Sequence, residues 1–286
     1  MAGLLDGLGS LGLGNLENMD VFEEEKKQAA QAKAAAVEEK KGPEEEELIY
    51  DKEFECPVCG RKFSAKVMKT GKAKLLGTDP DMRPKYEGID SNKYDVLLCG
   101  KCGYASLVRY HGSLLPTQVK LIKENISSNI KLKKYTGPTY DYDQALERYK
   151  IALANAVVKK CKISERAFIC LKTAWLIRGI KESGEAENKL SSDEIASYEA
   201  QEKEYLKNAY QGFYEARSKE NPPIAGMDNA TLDYLLAQLA FRFGDYGTSL
   251  KMVEALLTSR ESARIKNKAL DLKEAIKEAK AKAAES

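Results

Sequence analysis

Two cysteine pairs carry the most chemistry in this sequence: Cys56-Pro57-Val58-Cys59-Gly60 and Cys99-Gly100-Lys101-Cys102-Gly103. Each is C-x-x-C, and 39 residues lie between them. Two thiolates spaced this way on a tight turn can face one metal ion. Two such turns close a tetrahedral four-sulfur shell, the arrangement that structural zinc prefers. The glycine after each second cysteine tolerates the positive φ that such a turn often needs. The spacing therefore predicts one Zn²⁺ held by Cys56, Cys59, Cys99 and Cys102. A redox dithiol would come singly beside a βαβ pattern, and none is visible. Four thiolates alone do not fix the metal, so an iron–sulfur centre stays open as an alternative.

Other residues have an ordinary reading beside a chemical one. Asp79, Asp81 and Asp95 could bind Mg²⁺ or act as acid and base, yet Asp79-Pro80-Asp81 is also good turn chemistry. The one histidine, His111, lies nine residues past Cys102. It could replace a ligand or orient one, and reads otherwise as a surface or interface residue. Cys161 and Cys170 read as small buried apolar side chains. Arg83, Lys85, Lys101 and Arg109 lie among Tyr86, Tyr94, Tyr104 and Tyr110. Bases interleaved with aromatics could grip single-stranded nucleic acid, and the same tyrosines could pack a small ribbon. No Walker-type or dinucleotide loop is present. Gly7-x-Gly9 and Gly12-x-Gly14 lack the flanking strand and helix.

The cysteines need strands to hold them. Phe63, Ala65 and Val67 alternate after the first pair, and Tyr94, Val96 and Leu98 alternate into the second, which predicts two strands. Residues 77–86 between them read as a breaker-rich loop. Residues 51–112 thus read as a four-cysteine zinc-ribbon-like module with a long insert.

From Leu115 onward the pattern is helical. Pro116 suits a first turn, and Val119, Ile122, Ile126 and Ile130 repeat at helical spacing. Further helices are predicted at about 141–160 and 164–182. A long one is capped by Ser191 and Glu194 and ends before Pro222-Pro223. Three more cover roughly 228–243, 246–258 and 260–283. Tyr142-x-x-Ala145-x-x-x-Tyr149-x-x-Ala152 has the spacing of a tetratricopeptide second helix, and Gly244-Asp245-Tyr246-x-x-Ser249-Leu250-x-x-Val253 resembles it. Residues 113–286 therefore read as a tetratricopeptide-like domain with a peptide-binding groove, or as an ordinary bundle with the same packing sizes.

Residues 1–50 read as a mobile acidic tail with a marginal helix. Leu4, Leu8 and Leu11 could dock, and Val21 to Lys41 has coiled-coil-like composition without a sustained a/d seam. This tail carries 12 acids and 5 bases, whereas residues 51–140 carry 9 acids and 17 bases. The basic segment could meet phosphate, meet the acidic tail, or stay solvated. The 286 residues are 43% hydrophobic and 31% charged, which suits a helix-rich protein. No run approaches the roughly 20 apolar residues of a membrane span. With no basic n-region at the start and metal-binding thiols, the cytoplasm is expected.

The first knuckle, Thr78-Asp79-Pro80-Asp81…Tyr86, Tyr94-Asp95-Val96 and Cys99-x-x-Cys102-Gly103-Tyr104-Ala105 together resemble the bacterial domain-of-unknown-function family 2225, over about residues 50–275. The resemblance implies a mainly α protein, with a small β zinc ribbon followed by tetratricopeptide-like helices, and no established activity. The resulting expectation is a non-enzymatic protein-interaction protein whose partner is a protein or peptide. A nucleic-acid-binding regulator is the alternative, and a metal-dependent enzyme using the acidic insert is a third reading.

Overall fold

The computed structural model describes residues 42–133 and 135–285; the tail readings for residues 1–41 lie outside them. Each cysteine knuckle is the turn of a two-stranded antiparallel hairpin. Strand β1 (Ile49–Glu55) pairs with β2 (Lys62–Met68), Ile49 opposite Met68 and Glu55 opposite Lys62. The alternation read from sequence is the burial pattern: Ala65 and Val67 turn inward while Lys62 and Ser64 stay exposed, as a period-2 strand requires.

The stretch read as a loop forms a further hairpin, β3 (Leu75–Thr78) with β4 (Pro84–Tyr86). Its register shifts between Leu75 and Gly77. The breakers supply its turn: Met82 N–H donates to Asp79 O at 2.8 Å, Asp79 N–H donates to Arg83 O at 2.9 Å, and Met82 adopts φ 70°. Breaker residues thus signalled a tight reversal, not an open loop. The third hairpin joins β5 (Val96–Leu98) to β6 (Ala105–Leu107), Val96 opposite Leu107. Tyr94, expected in this strand, instead ends a 3₁₀ turn over Ser91–Tyr94.

Seven α-helices follow among the described residues. Helix α1 (Pro116–Ile122) gives way to a π-turn over Lys123–Ser127, so the helix expected to run on through Ile126 and Ile130 stops early. Then come α2 (Tyr142–Val158), α3 (Ile163–Ala186), α4 (Ser192–Lys219), α5 (Asn229–Arg242), α6 (Tyr246–Thr258) and α7 (Ala263–Glu285). Ser191 and Glu194 form the anticipated capping box of α4. Aspartates cap α2, α5 and α6: Asp141, Asp228 and Asp245 each accept a bond from an N–H in the first turn, satisfying donors the helix leaves open.

From α2 on, consecutive helices pack on each other, and α2 also packs on β5 and β6. Small residues set the close approaches. Ala145, Ala152 and Ser249 are buried, and Ser249 Oγ donates to Ala237 O at 2.8 Å between α6 and α5. Val96, Ala105 and Leu107 share one apolar cluster with Tyr149, Leu176, Phe213 and Leu235. Glu44–Ser286 is accordingly one compact unit. The change at residue 112 is one of secondary structure, and the core continues across it. Residues 44–50 belong to this unit too: Leu48 and Ile49 are buried, and Glu45 of the acid run pairs with Lys93 at 2.7 Å.

Candidate metal centre

The two hairpin turns bring four sulfurs together. The Sγ atoms of Cys56, Cys59, Cys99 and Cys102 all lie within 4.8 Å of one another. Two contacts cross between the knuckles, Cys56 with Cys102 at 3.5 Å and Cys59 with Cys99 at 3.8 Å. A disulfide needs about 2.05 Å, so these are free thiols. Zinc–sulfur bonds of about 2.3 Å in a tetrahedron give edges of about 3.8 Å, and the cluster matches that spacing.

Both knuckles use one backbone device. The carbonyl of the first cysteine accepts from the N–H of the glycine four residues on, Gly60 at 2.8 Å and Gly103 at 3.0 Å. The first cysteine's own N–H donates to residue i+5, Arg61 O at 2.9 Å or Tyr104 O at 2.8 Å. Closing that loop places Gly60 at φ 67° and Gly103 at φ 73°, the left-handed region that glycine enters freely.

Apolar side chains wall the site. Val58, Tyr104 and Ile122 are buried beside the sulfurs, with Phe63, Val119 and Ile126 packed around them. Cys56, Cys99 and Cys102 are buried, and Cys59 is half-buried. Four thiolates cannot share so dry a space without a cation. The sulfur–sulfur contact with Cys102 lowers Cys56 to about 5, against the upward push of burial. The same contact and burial push Cys102 far up, and burial raises Cys99. All four donors are soft, and among the described residues no histidine or carboxylate joins the cluster. The residues fit a closed four-sulfur metal site.

The helices grip the second knuckle through residues the spacing rules did not reveal. Asn155 of α2, fully buried, donates from Nδ2 to Gly103 O at 2.9 Å. Ser127 Oγ, in the π-turn, donates to Cys102 O at 2.7 Å. Ile126 and Ile130 lie over Gly103, where a Cβ would come within 2.7 Å of Ile130. The signal for Asn155 was an amide set among the small buried residues Ala152 and Ala156.

The other sequence candidates go elsewhere. His111 is no ligand: its Nε2 meets Glu55 O at 3.0 Å, and its ring packs edge-on to Phe54 and Phe63. Asp79 and Asp81 anchor the β3–β4 turn to the helices. Arg178 of α3 binds both, at 2.9 Å to Asp79 and 2.6 Å to Asp81, and reaches Glu202 of α4 at 2.7 Å. Arg83 is buried in the same network, at 2.6 Å from both Asp79 and Glu182. Burial alone would raise the Asp79 carboxyl, but Lys85, Arg178 and Arg83 together hold it below its usual value. Asp95 pairs with Lys172 at 2.7 Å. Each of these three carboxylates is paired with a base; Asp79 alone of them lines an open cleft of about 430 Å³, where Glu182, Glu185 and Glu202 face Arg178, Lys181 and Arg242.

The four bases singled out for phosphate contact occupy different settings. Arg83 is inside the ion network, and Lys85 lies against Asp79 at 3.0 Å. Lys101 is exposed on the second knuckle. Arg109 donates to Ala225 O at 2.8 Å. Cys170 is buried as expected and burial lifts it to about 11, whereas Cys161 is only half-buried.

The fold and site define a mainly helical protein with small antiparallel sheets and a clustered four-cysteine centre. The family described as "Uncharacterized protein conserved in bacteria (DUF2225)" matches residues 49–283, and the chain belongs to it. No curated protein and no solved structure matches the chain. No helix among the described residues is long and apolar enough to cross a membrane.

Proposed function

We propose that this is a non-enzymatic protein-interaction protein whose ribbon is locked by one structural zinc ion. The observation that carries the reading is the closure of the metal site: four sulfurs fill a tetrahedral shell and leave no position for substrate. Zinc is favoured over an iron–sulfur cluster because the four sulfurs lie within 4.8 Å of one another, close to the edges of a single ion's shell. The paired carboxylates argue in the same direction, since acid–base work wants a carboxyl raised toward neutral pH and the bases around Asp79 hold it the other way.

The interaction surface is assigned to the helices. Sequential packing from α2 to α7 and small residues at the contacts support a tetratricopeptide-like stack, in which neighbouring helix pairs build a groove. One feature differs from a regular repeat: α2 rests on β5, β6 and α3, with only the short α1 before it. The ribbon would then act as the cap of the stack. A reducing compartment such as the cytoplasm suits a centre built of four cysteines free of disulfides.

The test is chemical cross-linking of the full-length protein in native lysate, with and without nuclease. Discrete protein cross-links that persist after nuclease treatment are expected. Cross-links to nucleic acid alone would overturn the reading.

A further inference from the structure

A groove of about 420 Å³ runs between α2, α3 and α4. Its α2 wall is aliphatic, Leu153 and Val157, and Val157 is 53% exposed. The floor is Ile163, Ala167 and the neutral thiol Cys170. The α3 and α4 backbones approach closely there: a Cβ on Gly212 would stand 2.8 Å from that of Ala167. The α4 wall is polar and presents Glu204, Asn208, Gln211 and Glu215 from one face, as spacings of three and four require.

The two ends of the groove differ in charge. Glu204 stands at one end, where its carboxylate accepts from the neutral Asn208 amide at 2.9 Å rather than from a base. Arg166 lines the other end, close enough to Glu215 to act on its carboxylate. Glu215, beside it, is held by Lys219 at 2.6 Å. Glu204 and Glu215 are eleven residues apart on α4, which sets the groove at about 16 Å, or three helical turns.

We infer that this groove docks an amphipathic helix of a partner protein. Two or three aliphatic side chains of that helix enter between α2 and α3, a lysine or arginine meets Glu204, and a carboxylate or free carbonyl meets Arg166. An apolar face of three turns is the occupant that fills a trough of this length. The opposed end charges fix its direction, because the reversed helix would set like charges together at both ends. The inference rests on the protein-interaction reading and specifies its partner.

The probe is a displayed library of helical peptides of about four turns, randomised on one face and selected on the metal-loaded full chain. Enriched peptides should carry two or three aliphatic residues between a basic and an acidic end. Val157→Asp, at a half-exposed position, should weaken them by about tenfold or more. Selection on Glu204→Lys should invert the basic preference to an acidic one. Equal binding to Val157→Asp, no enrichment, or a preference unmoved by Glu204→Lys would overturn the groove. Lysate cross-links that survive Val157→Asp would sink the groove and leave the interaction reading standing. Their absence from wild type would sink that reading itself.

Discussion

At the scale of single residues, the cysteine spacing was fully legible, because four thiols in two C-x-x-C pairs state a ligand set without reference to the fold. Their supports were not. Asn155 and Ser127 act on carbonyls far away in sequence, and only the fold brings them to Gly103 and Cys102. The glycines separate cleanly. Gly103→Ala would force a left-handed backbone on alanine and drive its Cβ against Ile130, whereas Gly100 has nothing within 4 Å and no such backbone demand. Gly103→Ala is expected to destabilise by about 1–3 kcal/mol and to lower metal content. Gly100→Ala should leave both unchanged. Thermal unfolding and elemental analysis of the pair decide this, and equal behaviour would contradict the geometry. Cys99→Ser should lose the metal altogether, since zinc binding in small domains contributes on the order of 10–16 kcal/mol.

At the scale of elements, helix starts were readable because caps are local chemistry, as Ser191 and Glu194 show. The β3–β4 hairpin was hidden because its strands are exposed and short, and Gly77 breaks the alternation. What fixes it is remote: Arg178 lies about a hundred residues away in sequence, directly after the apolar run Trp175-Leu176-Ile177. Arg178→Ala removes the only ion partner Asp81 has among the described residues, and Asp81 is 5% exposed. Breaking a buried ion pair this way costs about 3–5 kcal/mol. Arg178→Lys should recover only part, because an ammonium cannot fork to three carboxylates. Urea denaturation of both variants measures the difference.

The same network has a pH signature. The Asp79 carboxyl is held below its ordinary value, near 3.9 for an aspartate in water. Its contribution is therefore fully present above that value and is lost as pH falls through the lowered one. The stability gap between wild type and Asp79→Asn should stay constant from pH 7 to about 4.5 and shrink in stronger acid. A gap that shrinks around pH 6 would place the dependence on another group.

At the scale of the whole molecule, the helix order and the ribbon-then-helices plan were visible in the sequence, because hydrophobic period changes sharply near Leu115. The fusion of the two was not, because no local pattern shows that Val96, Ala105 and Leu107 face Tyr149 and Leu176. Chelation should consequently lower the melting temperature of the helices together with the ribbon, in one transition seen by circular dichroism. A helical melt unaffected by chelation would mean two independent units. Ala145→Leu tests the packing of α2, since Ala145 is buried there; overpacking should cost about 1–3 kcal/mol, read by thermal unfolding.

The central claim is that the two hairpin turns close around one zinc ion. Sulfur coordination and metal identity can be read together by elemental analysis and X-ray absorption on the purified full-length protein. The account predicts one zinc per chain with four sulfur neighbours at about 2.3 Å. Iron with sulfide, or a metal shell containing oxygen or nitrogen ligands, would contradict it.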